Sequence, residues 1–499
     1  MTQARSPIRS FEEFREYSLW YLHDVGLNVP DLLENEYKIV LGPVRGETIP
    51  FGDYAGTPKW KAPSEFPKGE WNGRDIHQIL SNLANIQGDT EFGSNEQQVG
   101  LWDSAPSDYD RKILMSVIKE EFRHGWQMGW FATETLKTDH AFLTAKTLLE
   151  RRSGRGANAR LLGAFNNPIT DWIGMYCFLE FMDRDGGSQL SLLQDSSVMA
   201  LSRSMTFMLR EEAKHLRSGQ QGFERMLAAG KLPVDLLQKY VNLFAPLGYD
   251  LHGGERSTNA LIYYKLGLKG FYPAQRGQDY TGERARDYID PHLYEDLLHR
   301  EANSAAYSYQ FLDLRLGGAL RDINKELLNA VTVTFYKRTL EKHFADFNRI
   351  IETAYPAGTP KMVLPSIRWH RAEPSTYAHE RYDIHGAPIA TEREYEAYRL
   401  ANLPGPADAE RLQEVFATKD WIAPPEADVY KELTHTKPGD DVFFRTVFGT
   451  KRRSRYTKRL PDAAGGAAPD PAASAAEAAP AKAAPAENLW SFMDREAGA

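Results

Sequence analysis

Two Glu-x-x-His motifs, each inside a long segment with helical periodicity, constrain the fold of this 499-residue chain more than any other feature. The first runs from Glu121 to His124 and the second from Glu212 to His215. On a helix, residues i and i+3 lie on one face, so the carboxylate and imidazole of each motif can bind the same metal ion. One such motif often occurs by chance. Two copies on separate helices instead predict a dinuclear metal site inside a helical bundle.

A dinuclear bundle site of this kind needs one further carboxylate from each of two other helices. Candidates upstream of the two motifs are Asp89 and Glu91, and Glu180, Asp183 and Asp185. Glu91 and Asp183 precede their motif glutamates by nearly equal numbers of residues, whereas Glu180 breaks this correspondence. We therefore predict four carboxylates and two imidazoles as metal ligands, namely Glu91, Glu121, His124, Asp183, Glu212 and His215.

The competing interpretation places these charged residues on solvent-exposed helix faces. It accounts poorly for their neighbours, because apolar side chains such as Phe122 and Leu216 surround both motifs at helical spacing. Carboxylates buried among such residues need a partner that offsets the cost of burial, and metal ions would supply it. The adjacent glutamates and cations are suited to orienting the imidazoles through their second ring nitrogen. These residues are Glu120, Arg123, Glu211 and Lys214.

The donor set also indicates the metal. Carboxylates and imidazoles without a thiolate favour two iron or manganese ions over structural zinc, and iron in such a setting can bind and reduce dioxygen. Gln87 precedes Glu91 by one helical turn and is expected to reach the site. Gly186 and Gly187 follow Asp183 and could leave room for oxygen or substrate. An ordinary helix C-terminus explains the two glycines equally well.

Hydrophobic periodicity predicts four long helices, over about 74–102, 107–136, from Asn167-Pro168 onward, and over about 197–227. Ser107 is expected to cap the second helix, and Pro168 to lie in the first turn of the third. Helical spacing continues over 286–350 and includes Phe311, whereas 353–430 is rich in proline and tyrosine. The predicted fold is therefore mainly α: a ferritin-like di-iron helical bundle with additional helices and a loop-rich C-terminal extension.

We predict five regions along the chain. They are an N-terminal wrapping segment (1–73), the di-iron bundle (74–285), the additional helices and loop-rich extension (286–460), a disordered Ala/Pro-rich linker (461–487) and a short docking motif for a partner protein (488–499). The last region is singled out because Leu489, Trp490, Phe492 and Met493 follow a tract that is nearly devoid of large apolar residues.

Composition argues against several other classes of protein. The single cysteine, Cys177, excludes an internal disulfide framework and fits a reducing compartment. A formal net charge of −8 offers no basic field for nucleic acid. The sequence also lacks both a membrane-spanning apolar stretch of about 20 residues and the apolar centre of a secretory signal. We expect a cytoplasmic, soluble protein that binds neither nucleic acid nor membrane.

The wider sequence resembles one family of bacterial di-iron oxygenases. The segments 82–97, 120–127 and 179–185 are similar to the oxygenase component of benzoyl-CoA 2,3-epoxidase, the BoxB family. This resemblance implies a monooxygenase that uses dioxygen to epoxidise the ring of benzoyl-CoA in aerobic benzoate degradation. It implies the six ligands above and Gln87 as a catalytic residue. It also implies a separate NADPH-dependent reductase with FAD and iron–sulfur clusters, for which this chain lacks the cysteines.

The sequence departs from the family pattern at two places, and other functions fit the same motifs. Lys214 stands where the family's second motif has arginine, and the Ala/Pro-rich tail has no counterpart. Motif spacing fits equally a di-iron enzyme for another acyl-CoA, such as phenylacetyl-CoA, or a desaturase. A non-enzymatic ferritin-like iron-binding protein is disfavoured by the length of the chain beyond the fourth helix.

A cluster of arginines follows the second helical segment. Arg151, Arg152, Arg155 and Arg160 are candidates for binding the phosphates of a coenzyme A substrate. The alternative is a solvated loop between helices, which is the usual role of an exposed run of charge.

Overall fold

The computed structural model describes residues 7–25, 70–71, 74–253, 308–313 and 319–415, apart from the single positions 103, 155, 195, 197, 374 and 376, and also residues 263, 268 and 290. Over these residues the protein is mainly helical, which confirms the predicted fold class. The predicted linker (461–487), the docking motif (488–499) and most of the N-terminal segment (1–73) lie outside the described residues. The proposed region boundaries stay predictions.

The helices that build the bundle and its surroundings are α1 (Phe11–Asp24), α2 (Ile76–Gln98), α3 (Asp108–Trp130), α4 (Asp139–Glu150), α5 (Trp172–Cys177), α6 (Asp183–Gln194), α7 (Met199–Ala228) and α8 (Val234–Leu251). They are followed by α9 (Lys325–Ala354), α10 (Glu392–Asn402) and α11 (Pro406–Val415). Two π-helical segments interrupt this pattern: Phe131–Leu136 extends α3, and Phe178–Met182 joins α5 to α6. Short 3₁₀ turns occupy Val99–Leu101 and Gly163–Asn166.

Two antiparallel hairpins accompany the helices. The strands β1 (Glu70–Trp71) and β2 (Arg74–Asp75) precede α2. The strands β3 (Ser308–Asp313) and β4 (Ala319–Asn324) precede α9 and pair from Ser308 with Asn324 to Asp313 with Ala319. The predicted helix through Phe311 is therefore wrong, because this residue pairs with Arg321 in the hairpin.

The helix starts follow local capping chemistry. Ser107 caps α3 as predicted, since its hydroxyl accepts a hydrogen bond from the Asp110 amide. The predicted start of the third helix is wrong: α5 begins at Trp172, and Pro168 lies before it. The carboxylate of Asp171 accepts a hydrogen bond from the Gly174 amide at 2.9 Å, so this residue, and not the proline, sets the helix start.

The bundle pairs each motif helix with the helix that carries its upstream carboxylate. α2 packs against α3, α6 packs against α7, and α3 also contacts α7. Small residues permit the close approach: a Cβ atom added to Gly125 would lie 2.7 Å from the Phe92 ring. α9 packs against α7 and also contacts α6. Among the described helices, none is long and apolar enough to cross a bilayer.

Candidate metal centre

The four central helices bring the six predicted ligand residues together in the core. α2 contributes Glu91, α6 contributes Asp183, and α3 and α7 contribute the two Glu-x-x-His pairs. All six side chains belong to buried residues, and both histidines are 0% exposed. Their ligand atoms form two groups within 4.8 Å: Glu91, Glu121 and His124, and Glu121, Asp183, Glu212 and His215.

The first group surrounds the Nδ1 atom of His124. This nitrogen lies 3.3 Å from Glu91 Oε2, 3.5 Å from Glu212 Oε1 and 3.9 Å from Glu121 Oε2. Carboxylates from three different helices therefore face one imidazole nitrogen. An ion held here would take oxygen ligands and one nitrogen ligand.

The second group surrounds the Nδ1 atom of His215 in a related way. This nitrogen lies 3.2 Å from Glu121 Oε1, 3.6 Å from Asp183 Oδ2 and 3.6 Å from Glu212 Oε2. The centroids of the two imidazole rings are 6.3 Å apart. Glu121 and Glu212 each face both imidazoles and have the position of bridging carboxylates. Glu91 and Asp183 each face one imidazole.

The second nitrogen of each imidazole is held by a glutamate from the opposite motif. His124 Nε2 lies 2.8 Å from Glu211 Oε2, and His215 Nε2 lies 2.9 Å from Glu120 Oε2. An ionised carboxylate can only accept, so Nε2 donates in both contacts, and Nδ1 is the ring nitrogen that faces the carboxylate cluster. The glutamate that precedes each motif thus orients the histidine of the other one.

Glu120 and Glu211, which we call the outer glutamates, also form ion pairs with cations of the opposite motif. Arg123 forms an ion pair with Glu211, and Lys214 forms one with Glu120. Although burial opposes the shift, the contacts with His215 and Lys214 lower the pKa of Glu120 to about 2. Lys214 also donates to the Ser116 hydroxyl at 2.6 Å. Lysine in place of arginine at this position therefore keeps an ion pair with the outer glutamate.

The donor set fits a pair of cations. Four buried ligand atoms, His124 Nδ1, His215 Nδ1, Asp183 Oδ2 and Glu212 Oε2, have no hydrogen-bond partner among the described residues. Burial, together with the charges of Glu91 and Asp183, raises the pKa of Glu121 well above its usual range. Burial and the charge of Glu212 do the same to the pKa of Asp183. Positive ions between these groups would offset this mutual repulsion and let the carboxylates ionise.

Local backbone structure places Asp183, and not Glu180, at the cluster. The π-helical segment Phe178–Met182 ends directly before Asp183. A π-helical turn rotates the following residues relative to a regular helix and often occurs at functional sites. Glu180 Oε1 instead receives a 2.6 Å hydrogen bond from His343 Nδ1, and Arg184 donates to its Oε2 at 2.9 Å. Gly219 of α7 lets the two backbones approach, because a Cβ atom there would lie 2.6 Å from the Glu180 nitrogen.

A cavity of about 290 Å³ opens beside the cluster. One side is formed by four of the predicted ligands, Glu91, Glu121, Asp183 and Glu212. Much of the remaining wall is apolar and includes Leu83, Ile86, Phe165, Met182, Leu190 and Leu251. Gln87 lines the cavity and donates to Glu91 Oε1 at 2.6 Å, so the predicted catalytic glutamine lies where cavity and cluster meet.

The candidate phosphate-binding arginines have different surroundings. The Arg160 side chain is 0% exposed and forms ion pairs with Asp89 at 3.1 Å and Glu96 at 2.7 Å. Arg152 forms an ion pair with Asp24, and the Nε atom of Arg151 lies 3.7 Å from Asp89. Arg155 lies outside the described residues. These contacts favour a structural role for Arg160. They also show that Asp89, the other candidate carboxylate near Glu91, faces the arginines and not the cluster.

The cavity wall also includes a histidine, His252, that the sequence patterns did not indicate. His252 lies at the C-terminal end of α8, and its Nδ1 atom is 3.1 Å from Asp185 Oδ1. Both residues are buried and line the cavity. His252 follows α8, which carries neither motif, and belongs to no paired pattern, so no local signal pointed to it.

Comparison with known proteins supports a relationship over part of the chain. No family model matches the sequence. Over 265 residues the chain is 38% identical to benzoyl-CoA oxygenase component B from Aromatoleum evansii. This match covers 49% of the chain and 54% of that protein, so it spans about half the length of each. A buried carboxylate–histidine cluster that could hold metal ions thus occurs in a chain similar to an oxygenase component.

Proposed function

We propose that this chain is the oxygenase component of a di-iron monooxygenase that epoxidises the ring of benzoyl-CoA at the 2,3-position. The observation that carries the proposal is the position of Glu121 between two imidazoles, where it belongs to both groups of ligand atoms. A bridging carboxylate with histidines on both sides suits two metal ions and not one. The similarity to benzoyl-CoA oxygenase component B supports this substrate class.

The cavity supports an aromatic acyl group as the substrate. Its volume is about 290 Å³ and much of its wall is apolar. A dry apolar cavity of about 150 Å³ is large enough to bind benzene. One aromatic ring with its carbonyl group therefore fits beside the carboxylate cluster, while the polar coenzyme A portion would extend out of the cavity.

Residues of this chain would prepare the site for that reaction. Two iron ions, when bound by the six ligands, would supply the reduction of dioxygen. Glu120 and Glu211 orient the imidazoles, Gln87 donates a hydrogen bond to Glu91, and the apolar part of the wall would contact the ring. One oxygen atom enters the ring, and the other leaves as water after it receives two electrons and two protons.

The electrons would come from another protein. Iron–sulfur clusters are generally held by several cysteine thiolates, whereas this chain has one cysteine, which is buried. We propose an NADPH-dependent reductase with FAD and iron–sulfur clusters as the partner. The predicted docking motif at 488–499 is a candidate for its binding.

Product analysis tests the substrate and the reaction together. The iron-loaded chain, a reductase, NADPH, dioxygen and benzoyl-CoA should yield the 2,3-epoxide or its hydrolysis product, with one oxygen atom from ¹⁸O₂. Phenylacetyl-CoA in parallel tests the nearest alternative substrate. Turnover of phenylacetyl-CoA alone would reject benzoyl-CoA as the substrate. Iron uptake without turnover of either thioester would favour a ferritin-like iron-binding protein.

A further inference from the structure

Gly186 is an unusual residue for its position in α6. The glycine lies inside this helix (Asp183–Gln194), so the alternative that it marks a helix C-terminus is wrong. Glycine is among the least favourable residues in a helix interior. The backbone does not require it, since Gly186 is not among the glycines with positive φ.

The space around this position suggests another reason for the glycine. Among the described residues, a Cβ atom added to Gly186 would have one neighbouring atom within 4 Å, Glu212 Oε2 at 3.9 Å. Gly186 also lines the cavity, as do Asp183 and Leu190 on the same face of α6. A side chain here would therefore fit without a clash, but it would occupy cavity space beside the predicted ligand Glu212.

Gly187 provides an internal comparison. It is the next residue of the same helix, but it does not line the cavity. A Cβ atom there would lie 3.4 Å from Leu216 Cδ1, which is an ordinary packing contact. Alanine at either position should thus raise helix propensity to a similar degree. Only alanine at position 186 should reduce the space beside Glu212.

We propose that Gly186 determines which acyl group the cavity accepts, because the missing side chain leaves room for a flat aromatic ring next to Glu212. The proposal rests on the proposed function for the identity of the substrate, an aryl acyl thioester. It adds that the ring lies against α6, so that substrates with a bulky ring substituent on this side are excluded. Gly186 is thus a specificity-determining residue.

Kinetics of three iron-loaded variants test the proposal. Gly186→Ala should lower kcat/KM for benzoyl-CoA by roughly 10–200-fold, the range that one extra methylene produces in a substrate pocket. Gly186→Val should lower it further. The binding of a short-chain acyl-CoA without a ring, measured as inhibition of benzoyl-CoA turnover, should be affected less. Gly187→Ala should match the wild-type kinetics. All variants should keep wild-type iron content, and both alanine variants should melt at or above the wild-type temperature because helix propensity rises. Equal losses in both alanine variants, or unchanged kinetics for Gly186→Ala, would overturn the proposal.

A probe that needs no turnover separates this inference from the proposed function. Fluorobenzene should bind the iron-loaded wild type and Gly187→Ala, seen as broadening of its ¹⁹F resonance, and should bind Gly186→Ala at least tenfold more weakly. If the wild type does not convert benzoyl-CoA but binds fluorobenzene more tightly than Gly186→Ala does, the proposed function fails while Gly186 keeps its role. Absence of fluorobenzene binding in the wild type, or equal binding by all variants, would reject the role of Gly186.

Discussion

The Nε2 atom of His124 on α3 lies 2.8 Å from the Glu211 carboxylate on α7. His215 on α7 is held by Glu120 on α3 at 2.9 Å. The two motif helices therefore depend on each other, because each carries the glutamate that orients the other's imidazole. This crossed arrangement couples helix packing to the geometry of the candidate metal centre.

The bridging position of Glu121 predicts that its loss affects both ions. Glu121→Ala should reduce the iron content from two ions per chain to one or fewer and abolish oxygenation, since Glu121 belongs to both groups of ligand atoms. Glu121→Gln removes the same charge with little change in side-chain volume. His215→Ala should also lower the iron content. Iron would be measured by metal analysis of the purified chain.

Glu150→Ala is a suitable control for these variants. Glu150 lies at the end of α4, where its side chain is 37% exposed and pairs with Lys146. Its iron content and activity should equal those of the wild type. Full iron and turnover in Glu121→Ala or His215→Ala would contradict the assignment of these residues as ligands.

The outer glutamates should contribute to metal affinity although they are not predicted ligands. Glu211→Gln and Glu120→Gln should each weaken iron binding by about 10–100-fold, because the imidazole they orient loses a charged acceptor. Competition with a chelator would measure the affinity. The control is Glu224→Gln. Glu224 lies on the same helix as Glu211 and accepts a hydrogen bond from Gln220, so this variant should bind iron like the wild type. Equal affinity in all three variants would exclude the orienting role.

Gly219 should be required for the contact between α7 and the π-helical segment. Gly219→Ala should lower the free energy of unfolding by about 1–3 kcal/mol, since its Cβ would lie 2.6 Å from the Glu180 nitrogen and a backbone would have to move. Gly163→Ala is the control, because a Cβ atom there has no neighbour within 4 Å among the described residues. Urea unfolding would compare both variants with the wild type, and identical midpoints would disprove the close contact.

Arg160 should matter for stability more than an exposed arginine does. Arg160→Leu leaves Asp89 and Glu96 without their buried cation and should cost about 3–5 kcal/mol in the free energy of unfolding. Arg349→Leu should change it by less than about 1 kcal/mol, because this arginine is 75% exposed and pairs only with its helical neighbour Asp346 among the described residues. Chemical denaturation measures both. A small effect of Arg160→Leu would indicate that the arginine is available for another role.

Much of the fold could be predicted from the sequence because helix periodicity is local. The ranges of α2, α3 and α7 follow from apolar residues at helical spacing, and the Ser107 cap follows from one side chain and one nearby amide. The β3–β4 hairpin could not be predicted in this way. Its residues, including Phe311, also satisfy helical spacing, and the pairing with β4 decided the outcome.

At the candidate site, the sequence by itself determined which residues share a helix face. The i, i+3 spacing brings Glu121 next to His124 and Glu212 next to His215 in any regular helix. Only the tertiary structure decided that Glu121 and Glu212 lie between the imidazoles, that the outer glutamates cross between motifs, and that Gly186 faces a cavity. The physical reason is that local spacing depends on the backbone of one helix, whereas these relationships depend on how four helices pack against one another.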